Sequence, residues 1–170
     1  DGLADMADGF GGGSSRDEKL RIMRDSQVGT YGIIALIFSI LMRTVLLDSV
    51  AEPKLILTAM ILSGIMSRSL LPFITFCFRE ARPDGLAAKF SKASKRISFV
   101  SFVLGVIICS LFIGLTGTLF ISTIAISSVL LTMLISYRQI GGYTGDTLGG
   151  CQQICEVAVL IAVTLFFNDV

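Results

Sequence analysis

The chain has 170 residues, of which 53% are hydrophobic and 16% charged, with a formal net charge of +1 and a mean hydropathy of +0.80. The charged share falls well below the ~25% usual in soluble domains. Polar surface is therefore too scarce to cover a globule, which indicates a membrane protein and gives no sign of a nucleic-acid partner. Histidine is absent, which excludes imidazole bases and histidine metal sites.

The chain opens on DGLADMADGFGGG, without an initiator methionine, so a segment upstream is expected. If residues 1–8 are helical, Asp1, Asp5 and Asp8 stand at i, i+4 and i+7, within an arc of about 60°. Carboxylates that close repel one another unless a cation neutralises them, and hard oxygen donors suit Mg²⁺, Mn²⁺ or Ca²⁺. A solvated acidic helix end is the alternative. The glycines from Gly9 to Gly13 are expected to end that helix and allow close backbone approach. Next comes SSRDEKLRIMRDS, in which Ser15 and Glu18 have capping-box spacing, so a short helix is predicted from about Arg16. Its cations, with Leu20, Ile22 and Met23, suit a helix lying at the membrane interface.

Five apolar stretches follow, at residues 32–47, 55–78, 97–115, 119–137 and 152–167. A bilayer core of ~30 Å takes about 20 helical residues, and backbone groups in lipid must pair internally. The expected fold is therefore an all-α polytopic bundle of about five spans, residues 32–170, preceded by a motif and interfacial helix in 1–31, together one membrane-embedded domain. The turn between the third and fourth spans is predicted at residues 116–118. Alternate threading places 1–31, 79–96 and 138–150 on one side of the membrane, here called side A. Eleven of the fourteen Lys and Arg lie there, which makes side A cytoplasmic by the positive-inside rule.

Two arginines interrupt the spans, although centring one in a bilayer costs roughly 2.5–3.5 kcal/mol on insertion scales. Arg68, ten residues before Phe78, is expected to face a polar site. Arg43, four residues before Leu47, either does the same or snorkels to the other side. Between the second and third spans, RPDGLA (82–87) joins charge to glycine, and Lys89, Lys92 and Arg96 share a helical face that suits anionic lipid headgroups. Before the last span, GGYTGDTLGG places Asp146 just ahead of a helix, with Thr144 and Thr147 as anion or metal contacts. Cys77, Cys109, Cys151 and Cys155 have no metal-site spacing and read as structural thiols. Acidic ligands beside arginines on one membrane face are what phosphoryl transfer requires.

The ordered segments DGLADMADGFGGG, IMRDSQVGTYG, Ser67-Arg68, RPDGLA and GDTLGG, followed by Glu156, resemble cobalamin synthase, the membrane-bound adenosylcobinamide-GDP ribazoletransferase family. The resemblance implies that α-ribazole or its 5′-phosphate is joined to adenosylcobinamide-GDP, with release of GMP, and that Mg²⁺ (or Mn²⁺) is required. By position, Asp1, Asp5, Asp8 and Asp146 would be metal ligands, with Asp5, Asp8 and Asp146 acting in catalysis. Arg24, Asp25, Ser26, Arg68, Arg82 and Thr144 would contact substrate. Glu156 falls on an acidic family position and Arg43 on a basic one. Family members carry further helices ahead of the aspartate motif, and usually a His-Leu pair directly before it. Neither is present here, so the chain reads as a portion of the enzyme. The opening motif also resembles, more loosely, that of CDP-alcohol phosphotransferases, but Asp5 and Met6 stand where their pattern expects alanine and arginine. A CDP-alcohol-type lipid phosphotransferase and a small cation-coupled transporter are the competing readings; oligomeric state is not legible.

Overall fold

The computed structural model describes residues 1–50, 52–82 and 93–168. They form an all-α bundle: α1 (Gly2–Gly12), α2 (Arg16–Ile22), α3 (Thr30–Asp48), α4 (Pro53–Ser69), α5 (Leu71–Cys77), α6 (Lys95–Ile140) and α7 (Gly145–Asn168). Residues 83–87 of RPDGLA, and Lys89 and Lys92 of the basic face, lie outside the described residues. Four segments are long and apolar enough to cross a membrane: Thr30–Asp48, Pro53–Cys77, Lys95–Ile140 and Gly145–Phe167. Large apolar side chains such as Phe38 and Leu111 point outward, as lipid contact requires and water would not favour.

The third segment cannot be one crossing, because 46 helical residues run to about 69 Å, over twice a bilayer core. Gly114 breaks it, with φ +66° and ψ 178°, a conformation open to glycine and strained for any side chain. The two arms then fold back. Phe102 of the first and Ile126, Val129 and Leu130 of the second line one groove with Phe73, and the rings of Phe73 and Phe102 meet edge to face at 6.1 Å. Five crossings result, as expected, but the reversal sits at Gly114 and not at residues 116–118.

Other expectations shift in the same local way. The stretch at 55–78 is broken between α4 and α5, because Pro72 has no N–H to give and its ring displaces the carbonyl four residues back. The glycine run does end α1, but only at its last member: the helix continues through Gly9, Gly11 and Gly12 to a C-cap at Gly13, and the earlier glycines admit Met23 and Tyr31 to close contact. Ser15 caps α2 by accepting from the Glu18 amide, but Glu18 returns the bond to Ser14 N and Oγ, at 2.8 and 2.7 Å, one residue earlier than the box predicts. Helix α7 begins at Gly145, so Asp146 lies inside its first turn.

Helix α7 is the centre of the molecule and packs on α1, α3, α4, α5 and α6. Leu62, Met66, Ile121, Met133, Cys151, Cys155 and Val159 form the core between α4, α6 and α7. Small residues set the spacing: a Cβ on Gly105 would come 2.8 Å from Ser69 Cβ, the close approach by which spanning helices gain dispersion contacts. Cys109, Cys151 and Cys155 are free and buried, in keeping with structural thiols.

Candidate active site

The described residues of the side-A segments gather at one end of the bundle. Arg16 of α2 donates to Ile140 O at 2.9 Å and Ala81 O at 2.7 Å, Lys19 donates to Gln139, and Arg82 donates to Leu20 O. Tyr143 N donates to Arg79 O at 3.0 Å and Ala81 N to Tyr143 O at 2.8 Å, a short parallel bridge. The Tyr143 hydroxyl donates to Glu80 at 3.2 Å; burial first, and then that carboxylate, push it up to about 12.

Against this frame α1 lies over the start of α7. The approach is backbone to backbone: a Cβ on Gly2 would sit 2.6 Å from Asp146 O. Asp5, one turn on, therefore faces the Asp146 end of α7. Burial raises its pKa above the usual 3.8, and the charges of Asp146 and then Asp8 raise it further. Asp146 is held from behind by Thr144, whose hydroxyl donates to Oδ2 at 3.3 Å. Thr144 also caps α7. Its Oγ1 accepts from the Thr147 amide at 3.2 Å, while Thr147 Oγ1 accepts from the Thr144 amide at 2.7 Å, the reciprocal pattern of a capping box. Both threonines are buried, so their first duty is to hold the turn that carries Asp146.

Asp8 has a different occupation. One oxygen accepts from Gly29 N at 2.7 Å and the other from Gly32 N at 2.8 Å. The carboxylate therefore satisfies donors that the first turn of α3 leaves over, and its charge suits the helix dipole there. Asp1 is the N-cap residue of α1, with no side-chain cap bond, and is exposed. Among the described residues no three acidic or thiol side chains are grouped so as to hold one ion. Two carboxylates with water and substrate phosphates are nevertheless a usual Mg²⁺ shell, and Asp5 with Asp146 fits that donor chemistry.

The expected substrate contacts divide into two places. Arg24 and Arg82 line a side-A cavity of about 300 Å³, together with Arg16 and Arg21, which the sequence reading did not include. Asp25 and Ser26 are exposed beside it, Asp25 accepting from Gln27 N at 3.1 Å. Arg68 is elsewhere: it meets Glu156 ten residues beyond Asp146, about 15 Å along α7. Arg43 joins it at Glu156 and does not snorkel away.

The profile of the cobalamin-5-phosphate synthase family matches residues 1–164. The chain belongs to that family. It is 39% identical over 167 residues to the adenosylcobinamide-GDP ribazoletransferase of Bradyrhizobium diazoefficiens, covering 98% of this chain and 64% of the relative. It is 38% identical to that of Azorhizobium caulinodans, covering 98% and 65%, and 40% identical to that of Mesorhizobium japonicum, covering 99% and 65%. The chain thus spans a little under two thirds of the length of these curated relatives. No solved structure matches it. Within this family member, DGLAD and GDTLGG stand far apart in sequence and adjoin at Gly2 and Asp146.

Proposed function

We propose that the chain is part of a membrane-bound transferase that joins adenosylcobinamide-GDP to α-ribazole, or to its 5′-phosphate, and releases GMP. The observation that carries this reading is the meeting of Asp5 and Asp146 at the end of a spanning bundle that also carries an arginine-lined cavity. Asp5 and Asp146 would hold the divalent cation, with Asp8 fixing α1 and Asp1 close to them in sequence. When bound, Mg²⁺ or Mn²⁺ supplies positive charge beside the diphosphate. Arg24 and Arg82, with Arg16 and Arg21 around them, offer planar guanidinium donors to phosphate oxygens. The acceptor's ribose hydroxyl attacks the phosphorus nearer the cobinamide. The bond from that phosphorus to the bridging oxygen breaks, GMP departs with its electrons, and the hydroxyl proton passes to a carboxylate of the acidic pair. The excess of cations on side A supports a cytoplasmic site.

The test is GMP release from adenosylcobinamide-GDP by membranes bearing the full-length protein, which should require both α-ribazole (or its phosphate) and Mg²⁺. No GMP above a boiled control would overturn the proposal, and CMP release from a CDP-lipid in a parallel assay would favour the lipid phosphotransferase. Gly2 provides a second handle. In Gly2→Ala the new methyl meets the Asp146 backbone, which cannot swing aside, so α1 is wedged off α7. GMP release should fall at least about tenfold, roughly 1.4 kcal/mol of barrier, while the protein still fractionates with membranes.

A further inference from the structure

The groove that Phe73 shares with the two arms of α6 does not end where those arms part. Its deeper portion, about 330 Å³, is lined by apolar side chains, Phe102 and Ile126 among them. It opens toward side A into a wider portion of about 620 Å³, and Cys77, Phe78 and Leu130 border both. Along α6 the lining runs from Ile126 to Tyr137, a rise of about 16 Å. That is close to half of a ~30 Å bilayer core. The groove therefore spans one leaflet, from mid-depth to the side-A interface.

A cation stands at its wide end. The Arg79 guanidinium lies 5.6 Å from the centre of the Tyr137 ring, and its Nε donates to Gly141 O at 2.9 Å. Ring and carbonyl fix the group and leave its Nη1/Nη2 edge, for which the described residues supply no hydrogen-bond or ion-pair partner. Glu80, next in the chain, is taken by the Tyr143 hydroxyl. On α6, Ile126, Leu130 and Leu134 stand at i, i+4 and i+8, and Arg138 continues that row by one turn. Arg138 is exposed and also has no ion-pair partner among the described residues. Charge is confined to the depth of lipid headgroups, where tyrosine is commonly found, and hydrocarbon lines the rest.

We propose that this groove binds one anionic phospholipid of the side-A leaflet, with an acyl chain along Phe78, Leu130 and Leu134 and the phosphate on the Nη1/Nη2 edge of Arg79. Within a bilayer some acyl chain fills any apolar groove, and hydrocarbon against hydrocarbon discriminates little. Selection comes from the head. The guanidinium edge matches two phosphate oxygens, and Arg79 with Arg138 disfavours a choline ammonium and favours net negative charge. The site is independent of the reaction proposed above.

The test exposes full-length protein in mild detergent to equimolar phosphatidylglycerol and phosphatidylcholine of matched chains, and native mass spectrometry counts the lipid retained. Wild type should keep one phosphatidylglycerol with a preference of about tenfold, as a charge-assisted hydrogen bond provides. Arg79→Gln should remove most of that preference, and Arg79→Lys, which keeps the charge but not the fork, part of it. Leu134→Trp fills the groove and leaves both cations in place. It should cut phosphatidylglycerol retention by a similar factor, and its exposed position keeps the fold. Arg96→Gln, an exposed side-A cation outside the groove, should leave the preference intact. The site is overturned by the absence of any preference, which a protein segment seated in the groove would also produce. It is overturned equally by a preference that survives Arg79→Gln or Leu134→Trp, or that Arg96→Gln lowers as much as Arg79→Gln does.

Discussion

Asp5→Asn in the full-length protein should lower GMP release at least about a thousandfold, near 4 kcal/mol of transition-state stabilisation, while membrane insertion is unchanged. Asparagine has the same shape, so α1 can still pack on α7; what is lost is an ionised oxygen donor facing Asp146. The pKa of Asp5 is raised, mainly by burial and by the charge of Asp146. Burial, Asp146 and Asp8 disfavour its ionised form and outweigh the opposing charge of the N-terminal ammonium, so the folded protein holds this proton to higher pH than an unfolded aspartate does. Without a divalent cation, stability should therefore fall as pH rises through the raised value, because ionising Asp5 then costs more in the folded state than in the unfolded one. Mg²⁺ should reverse that loss in wild type and not in Asp5→Asn, as thermal melts in detergent across the acid range would show. An Asp5→Asn protein that keeps more than about a tenth of wild-type turnover would remove this residue from the proposed chemistry.

Periodicity carried much of this fold. The apolar stretches became the spans, and the cationic segments gathered at one end because loops between antiparallel helices must alternate sides. Helical spacing put Asp1, Asp5 and Asp8 on one arc of α1, but it did not tell which of them meets α7 and which meets α3. What spacing lacks is the partner. Arg43 and Glu156 are 113 residues apart, and nothing local distinguishes an arginine that snorkels from one that crosses to a neighbouring helix. Gly114 was one of several small residues near the expected turn, and only its positive φ identifies it as the pivot. The pair Thr144 and Thr147 did have a legible signal, since cap residues three apart before an apolar run mark a helix start, yet the same residues read equally well as ligand contacts. Gln152, Gln153 and Ser67, which hydrogen-bond around Arg43 and Glu156, gave no signal because amides and hydroxyls are ordinary in such positions. Their role follows from sharing a depth with two arginines.

Asp8 is where fold and chemistry overlap most, and its replacement should act first on the fold. Asp8→Ala strips acceptors from Gly29 N and Gly32 N at the start of α3 and removes a negative charge from that helix's positive end. Each orphaned donor costs about 1–3 kcal/mol, so a loss on the order of 2–5 kcal/mol is expected, read as a lower melting midpoint in detergent. Asp8→Asn, which keeps one good acceptor, should fall between. Gly32→Ala should reproduce the defect from the other side, because its methyl would lie 2.3 Å from Asp8 Oδ2 and 3.1 Å from Ala4 Cβ, pushing the carboxylate off its amides. The double variant should then lose much less than the sum of the singles, since both break one contact. Activity should fall with stability in all of these variants, and excess Mg²⁺ should not restore it, because α1 itself has moved and has carried Asp5 away from Asp146. Full rescue of Asp8→Ala by added Mg²⁺, with an unchanged melting midpoint, would instead make Asp8 a direct ligand and leave the N-terminus of α3 without the anchor assigned to it.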